Sequence, residues 1–489
     1  MIRFFPVLIG LLISSCIKGE EPETNTIPAL HSEFQKELNV FQKKSSVKGI
    51  AVAIFDSEEI IWEHVQGKST YGFPVNDSTM FSLQSVSKNI TALSVMIALE
   101  EGLLDLDTPI SKYLSEFKVN SCFEENPESK ITLRILLSHT AGFPHEAPVG
   151  NNYDYSFPSI EKHLESIGES WLKFPVGTKY SYSNLGFDLA AQIVEKVSGI
   201  PYDIFLKTRV FNLLGMNNST VNDQVFVNTK NKTEGIDTWV KSNHYPIPLI
   251  GSGAAYSTLS DMVKYVQFHM NLGKIDGKRL INQNSLHEMY SVEMNNYGLG
   301  TYVDSLLGTY YLNHNGGGFG YGCSMVWIPK YNIGCVVLAN KYADCFSLAI
   351  SIIEKYIGAV KMNIKNDSLV ANEFNPFAQA KVPVNQNAIY QCTVDSVYKN
   401  DWSQYTGSYE VMLGGMDFKW YAKLAFALGK KPVVINVSRI DDSLFLSGSF
   451  GESKLFEYQE GLFFTLGGAS LDLRSYQPTF ANLKLSKFK

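Results

Sequence analysis

A serine and a lysine three residues apart, Ser85 and Lys88, are the residues in this sequence whose types and spacing best fit chemistry. A serine hydroxyl is a weak nucleophile until a nearby base takes its proton. At the start of a helix, this spacing places both side chains on one face within one turn. A neutral or proton-sharing Lys88 could then accept the Ser85 proton, and the helix N-terminus would favour the developing negative charge. The pair is therefore a candidate for nucleophilic catalysis.

The spacing alone is weak evidence, because the pattern S-x-x-K recurs elsewhere in the chain. It also begins at Ser45, Ser115, Ser159, Ser170, Ser396 and Ser486. Ser85 is distinguished by its context. Apolar residues at helical spacing follow it, including Ile90, Leu93 and Met96, and the pattern stops at Gly102, where a helix C-terminus is expected.

Five segments add to that context. They are MFSLQSVSKNITAL (80–93), ITLRILLSHTAGFP (131–144), FPVGTKYSYSNLGFDLAAQIVEKVSG (174–199), GSGAAYSTLSDMVKYV (251–266) and LNHNGGGFGYGCSMVWIPKYNIGCVVLANK (312–341). In order and spacing, they resemble the serine β-lactamase and penicillin-recognising family, in its class C β-lactamase, DD-peptidase and carboxylesterase branch. S-x-x-K is a motif of penicillin-recognising enzymes. The resemblance covers roughly residues 31–358.

The resemblance implies a role for each matching residue of the first two motifs. Ser85 matches the acylated serine and Lys88 the lysine of the first motif. Tyr182 matches the tyrosine of a Y-x-N motif, which acts with the lysine as general base and then protonates the leaving group. Since a phenol has a pKa of about 10, an adjacent Lys88 cation is expected to help Tyr182 ionise. Asn184 would hold the acyl-side amide or carbonyl of the substrate.

The third motif, usually K-T-G in this family, is His314-Asn315-Gly316 here. The resemblance implies that Gly316 and Gly317 let the strand backbone approach the substrate closely. The backbone N–H groups of Ser85 and Gly317 would form the oxyanion hole. His314 has three open interpretations: a base, a hydrogen-bonding group for the substrate, or a residue that shapes the pocket.

Other interpretations of these residues remain at this stage. Tyr182 could be a core tyrosine, and the Y-x-N pattern recurs at Tyr398. His139 is a candidate for a catalytic-triad histidine, although the resemblance implies a structural role. The glycines from Gly316 onwards lack the sequence setting of a phosphate-binding loop.

The order of predicted elements indicates an α+β fold. A helix and two strands come first, many helices follow, and strands with a last helix close the unit, so the two ends would complete one antiparallel sheet flanked by helices with an inserted all-helical region. We predict a hydrolase domain at 31–358, a polar linker at 359–400 and a C-terminal all-β barrel or sandwich domain at 401–489. The β domain could bind glycans, cap the cleft or stabilise the fold.

The N-terminus predicts export and a lipid anchor. A positive start precedes an apolar run from Phe4 to Ile13, which is short for a membrane span but suits a secretory signal. The string Ile13-Ser14-Ser15-Cys16 resembles a bacterial lipobox, which implies a signal peptide at 1–15, an acylated Cys16 and a tether at 16–30. The alternative is an ordinary signal peptide with an incidental cysteine. We expect the bacterial cell envelope, facing the periplasm or the surface, and a lipid-mediated membrane contact.

Composition and cysteine spacing bear on whether the protein binds nucleic acid, a cofactor or a metal. The 42 basic and 48 acidic residues give a net charge of −6, so there is no basic footprint for nucleic acid. The other five cysteines show neither a disulfide framework nor a metal signature. We therefore expect no cofactor and no metal.

The predicted function is acyl transfer through a covalent acyl-Ser85 intermediate. The substrate would be a small molecule or a peptide, with an ester or an amide (peptide- or muropeptide-like) bond. A true β-lactamase and a DD-carboxypeptidase are alternatives, because a fold does not fix a substrate. A catalytically idle cell-envelope binding protein on the same scaffold is an alternative of another class.

The lipid anchor gives a first testable prediction. Cys16→Ala should abolish incorporation of a fatty-acid analogue into the protein, because the acylated atom is gone. Metabolic labelling followed by gel fluorescence measures this directly, with Cys335→Ala as the control that keeps the label. Label retained in Cys16→Ala would contradict the lipobox assignment.

Overall fold

The architecture follows from a computed structural model that describes residues 26–154, 156–237, 246, 248–363, 374–380, 401–412, 418–428 and 433–488. Cys16, the predicted signal peptide and most of the predicted linker lie outside these residues. In the part of the chain that the structure describes, no helix is long and apolar enough to cross a membrane.

A six-stranded antiparallel sheet joins the two ends of the first domain, as predicted. Its strand order is β2-β1-β10-β9-β8-β7, and Ile50 in β1 pairs with Ala339 in β10. The strands β1 and β10 are buried on both faces, which suits their continuous apolar runs. The strands are β1 Gly49–Phe55, β2 Ile60–Gly67, β7 Tyr302–Leu306, β8 Thr309–Gly318, β9 Tyr321–Ile328 and β10 Ile333–Ala339, and the short pairs outside the sheet are β3 Phe81–Ser82 with β4 Tyr256–Ser257 and β5 Lys274–Ile275 with β6 Lys278–Arg279.

Helices cover both faces of this sheet. The first and last helices of the domain pack on one face, where Phe34 and Leu38 meet Ile352 and Ile353. The inserted helical region covers the other face and encloses the larger core. The helices are α1 Thr26–Ser45, α2 Ser87–Glu100, α3 Leu133–Leu137, α4 Ile160–Ser166, α5 Leu185–Ser198, α6 Tyr202–Leu206, α7 Asp223–Asn228, α8 Leu259–Met270, α9 Gln283–Tyr290 and α10 Cys345–Asn363.

The C-terminal β domain is a closed eight-stranded barrel, which decides between the predicted barrel and sandwich. A helix, α11 Trp420–Ala427, lies between its first two strands. The barrel interior is filled by a separate apolar cluster that includes Val437, Leu446 and Leu471. The strands are β11 Gly407–Val411, β12 Val434–Ile440, β13 Ser443–Gly448, β14 Ser453–Gln459, β15 Leu462–Thr465, β16 Ser470–Asp472, β17 Thr479–Phe480 and β18 Leu483–Lys487.

The run GLGT at 298–301, like the β-rich runs that follow it, favours a strand from sequence alone, and this prediction is wrong. The strand there is β7, which begins at Tyr302. Gly300 has a positive φ of 67° and lies so close to α2 that a Cβ would come within 2.9 Å of the Lys88 carbonyl oxygen. Asn89 also donates to the Gly300 carbonyl at 3.0 Å, so this segment is a turn against α2.

The cysteines differ in one respect from the expectation. Cys323, Cys335 and Cys345 are free and buried, as small apolar residues would be. Cys122, however, is disulfide-bonded, so the absence of disulfides predicted from irregular spacing is wrong at this position. Spacing along the chain could not reveal which cysteines the fold brings together.

Candidate active site

Ser85 sits on a sharp turn between a strand and a helix. A 3₁₀ turn, Gln84–Val86, leads directly into α2, and Gln84 has a positive φ of 49°. The turn is fastened to a neighbouring segment, since Leu83 donates to the Ala255 carbonyl at 2.8 Å and the Ser87 hydroxyl accepts from Ala255 N at 2.9 Å. The backbone thus holds the candidate nucleophile in one place.

Lys88 is completely buried one helical turn beyond Ser85. Its Nζ lies 3.2 Å from Ser85 Oγ, 2.7 Å from Asn184 Oδ1 and 3.0 Å from the Ser252 carbonyl oxygen. Burial lowers the pKa of Lys88 to about 7, against the opposing pull of the Asp188 and Glu146 carboxylates. A neutral amine has two donors and one lone pair. It can donate to the two carbonyl oxygens and accept the proton of the Ser85 hydroxyl.

Tyr182 lies between two histidine rings and next to Lys88. Its ring centroid is 4.3 Å from that of His139, 5.6 Å from that of His145 and 4.8 Å from Lys88 Nζ. Burial raises the pKa of Tyr182 above its ordinary range, although a hydrogen bond with Ser85 acts in the opposite direction. The resting phenol is therefore protonated, and the expectation that a Lys88 cation helps it to ionise stays a prediction. Tyr182 is placed to donate a proton rather than to start as a base.

Asn184 reaches the same centre from the start of α5. Its Oδ1 accepts from Lys88, and its backbone N–H donates to the His145 carbonyl at 3.1 Å. Among the described residues, the Nδ2 group of Asn184 has no hydrogen-bond partner. It is the atom left over for a substrate carbonyl.

His314 lies on β8 and is fully buried. Burial, together with nearby Lys88, lowers the pKa of His314 to about 3, so the ring is neutral. Its Nδ1 contacts the Asn315 carbonyl at 2.9 Å, and its Nε2 contacts the Tyr297 hydroxyl at the same distance. Nδ1 therefore carries the proton and Nε2 accepts from Tyr297. With both nitrogens in use, the geometry favours a pocket-shaping role for His314 over a base.

Gly316 and Gly317 bring the β8 backbone against the Ser85 turn. A Cβ on Gly316 would collide with the Leu83 carbonyl oxygen, and one on Gly317 would collide with the Tyr342 ring. Cys323, paired with Gly316 on β9, donates to the same Leu83 carbonyl at 2.8 Å. Glycine is required at position 316 because two backbones meet there without room for a side chain, whereas the neighbour of Gly317 is an exposed tyrosine side chain.

A buried hydrogen-bond network behind Lys88, centred on Asp188, was not predicted from the sequence. Asp188 Oδ1 accepts from the backbone N–H groups of Gly251 and Ser252, both at 2.9 Å. Its Oδ2 lies 3.1 Å from both the Ser252 hydroxyl and His163 Nε2. The network fixes the loop whose Ser252 carbonyl binds Lys88. An acidic residue within the apolar run LGFDLAAQIV, six residues after Tyr182, was the available signal.

His139 is structural in this arrangement. Its Nδ1 accepts from Ser183 N at 3.1 Å, and its ring packs on Tyr182, Phe187 and Tyr297. Burial lowers the pKa of His139 well below its ordinary value, so the ring is neutral. It supports the Tyr182 ring from behind.

The fold is penicillin-binding-protein-like, with an added C-terminal barrel. The structure of the octameric penicillin-binding protein homologue from Pyrococcus abyssi superimposes with a TM-score of 0.58, covering 93% of this chain and 99% of that one at 19% identity. This likeness concerns the fold alone.

A family model described as Beta-lactamase matches residues 34–347. The chain belongs to this family. It is 25% identical over 374 residues to Beta-lactamase-like protein 2 of Dictyostelium discoideum, covering 70% of this chain and 66% of that protein. It is also 25% identical over 321 residues to the D-alanyl-D-alanine-carboxypeptidase/endopeptidase AmpH of Escherichia coli K12, covering 61% of this chain and 80% of that protein.

The network behind Lys88 predicts a shifted pH profile. If Lys88 must be neutral to accept a proton, kcat/KM rises as pH increases through about 7. Asp188→Asn keeps an acceptor for the two N–H groups but removes the negative charge that favours the ammonium form. The Lys88 pKa then falls, and the rising limb moves to lower pH. The exposed Asp276→Asn is the control, and an unmoved limb in Asp188→Asn would contradict this account.

Proposed function

We propose that this protein is a serine hydrolase that works through a covalent acyl-Ser85 intermediate. The observation that carries the proposal is the burial of Lys88 with its Nζ against Ser85 Oγ, at a pKa of about 7. A general base is most effective when its pKa lies near the working pH. Family membership supports the same chemistry.

Acylation uses the three contacts of Lys88, first the one with Ser85 and then those with Asn184 and Ser252. The amine accepts the Ser85 proton while Oγ attacks the carbonyl carbon of the substrate, giving a tetrahedral oxyanion and an ammonium. The backbone N–H groups of Ser85 and Gly317 stabilise the oxyanion. The two carbonyl oxygens of Asn184 and Ser252 hold the new ammonium, so the charge forms where acceptors already exist.

Collapse of the oxyanion needs a proton for the leaving group. Tyr182, protonated at rest, gives its proton to the departing oxygen or nitrogen and is reprotonated by way of the Lys88 ammonium. The products of this acylation half-reaction are acyl-Ser85 and an alcohol or amine. Water then repeats the sequence. Lys88, neutral again, takes a proton from the water as its oxygen attacks the acyl carbon. The Ser85 oxygen leaves with the proton of Tyr182, which the Lys88 ammonium then reprotonates.

The substrate class follows from the third motif. His314 is neutral and uses both ring nitrogens within the protein, so this motif has no fixed cation for the carboxylate of a β-lactam. A lost charge-assisted hydrogen bond costs roughly 1.5–3 kcal/mol, or about one to two powers of ten. We expect esters and D-amino-acid peptides to be better substrates than penicillins. The peptidase name of AmpH supports a peptide; a DD-carboxypeptidase and a true β-lactamase remain the alternatives.

The cellular location of the protein is part of the same proposal. The lipobox-like string before Cys16 supports a lipid-anchored hydrolase of the bacterial cell envelope. An enzyme held there would meet peptide and ester bonds of the envelope.

The nucleophile is tested by Ser85→Ala. Loss of one oxygen should reduce ester turnover by at least about a thousandfold and abolish covalent labelling by a fluorophosphonate, while the thermal transition stays close to that of the parent. Ser45→Ala is the matched control, because Ser45 begins another S-x-x-K string at the end of α1. Label on Ser85→Ala, mapped by peptide mass spectrometry to another residue, would overturn the mechanism.

The substrate preference is tested by steady-state kinetics. Nitrocefin should be hydrolysed with a kcat/KM at least about tenfold below that of a p-nitrophenyl ester, because its carboxylate finds no cation in the third motif. Both rates must disappear in Ser85→Ala to count as activity of this site. A higher kcat/KM for nitrocefin would make the protein a β-lactamase instead.

A further inference from the structure

A crevice of about 470 Å³ lies between the hydrolase domain and the mouth of the barrel. The loop 144–146 and Lys173 line it on one side. Leu446, Phe480 and Leu483, which also belong to the apolar interior of the barrel, line it on the other. Its volume is that of a small-molecule site, with an apolar wall facing a polar one.

Tight contacts between the two domains fix the width of the crevice. The turn at Gly468 packs so closely on the Lys173 carbonyl that a Cβ there would collide with it. Asn482 Nδ2 donates to the Glu146 carbonyl at 2.9 Å and contacts Ser170 Oγ at 3.0 Å, both buried. The barrel is therefore fastened to the hydrolase domain on two sides of the cavity.

Lys173 is a cation in this crevice without a counter-ion. Its Nζ donates to the Ser181 hydroxyl at 3.1 Å, and no carboxylate among the described residues lies within 4.0 Å of it. Burial, reinforced by Lys179, lowers its pKa, as expected where no anion compensates the charge. A partly buried ammonium of this kind is stabilised when an anionic group of a ligand reaches it.

Two carboxylates also line the crevice, and neither neutralises Lys173. Glu146 is already bound by His145 Nδ1 at 2.7 Å and by Asn152 N at 3.1 Å. Glu452 is exposed at the outer rim of the barrel. An anion therefore has one attractive position, on Lys173, and a repulsive rim that it must pass.

His145 joins the crevice to the active site. The His145 ring lines the crevice and stacks on Tyr182 with an angle of 23° between the ring planes. One imidazole thus separates the proposed proton donor from the cavity. An arm of a substrate bound at Ser85 would have to pass this ring to reach the crevice.

We infer that the crevice is a subsite for a carboxylate-bearing apolar arm of the substrate, with the carboxylate on Lys173 and the apolar part against the barrel mouth. This inference rests on the proposed hydrolase function and deepens it. The preferred substrates would be peptides or esters in which one arm carries an apolar side chain and a free carboxylate. The barrel thereby supplies one wall of the substrate site.

Equilibrium binding tests the subsite without turnover. The full-length Ser85→Ala protein is titrated calorimetrically with N-acetyl-alanyl-phenylalanine and with its C-terminal amide. The acid should bind at least about tenfold more tightly than the amide, because only the acid forms a charge-assisted bond. Lys173→Met should remove this difference, whereas Lys179→Met, the neighbouring lysine outside the crevice lining, should keep it.

The apolar wall that the barrel contributes is tested by a separate variant, Phe450→Ala. Phe450 also lines the crevice, is 43% exposed and packs on Phe480, so Phe450→Ala should preserve the fold and weaken the acid and the amide equally. Equal binding of acid and amide to Ser85→Ala, or no binding of either, overturns the subsite even if Lys173→Met does not fold. That result would not affect covalent labelling of Ser85 in the parent protein, which tests the proposed hydrolase function separately. Acid-selective binding without such labelling would instead reject the hydrolase and leave a binding site.

Discussion

The arrangement of this site depends on the burial of a single amino group, that of Lys88. A lysine removed from water on all sides favours its neutral form, and burial brings the pKa of Lys88 to about 7. Its three neighbours match the two donors and one lone pair of a neutral amine. The same atoms also suit the charged form that the proposed mechanism requires, since two of them are carbonyl oxygens. Tyr182 is governed by the same constraint, because burial keeps its phenol protonated.

The elements around Lys88 together bury its side chain and supply its hydrogen-bond partners. Helix α2 places it one turn from Ser85, and α5 brings Asn184 against it. Asp188 holds the loop that supplies the Ser252 carbonyl, so a buried carboxylate positions the lysine and moderates its pKa. The glycines of β8 let the sheet close over the Ser85 turn. The barrel then fastens to the outer side through Asn482, next to the loop that carries His145.

The sequence predicted what local patterns and motifs determine. The α+β order, the pairing of the chain ends and the β domain were predictable because strand and helix periodicity are local signals. The grouping of Ser85, Lys88, Tyr182 and Asn184 followed from a family resemblance, and the structure brings these four together. The protonation of Tyr182, the two partners of His314 and the Asp188 network were not predictable, because each depends on burial by residues distant in the chain. The same holds for Gly300, whose turn is set by its packing on α2.

The protonation state of Lys88 can be measured directly. In protein labelled with ¹³C at lysine Cε, the Lys88 resonance, assigned by its absence in Lys88→Arg, is followed by NMR against pH. We predict a titration midpoint near 7 that moves to lower pH in Asp188→Asn. A midpoint near the unperturbed lysine value of about 10.4 would contradict the account, because Lys88 would then be charged at neutral pH and unable to accept the Ser85 proton.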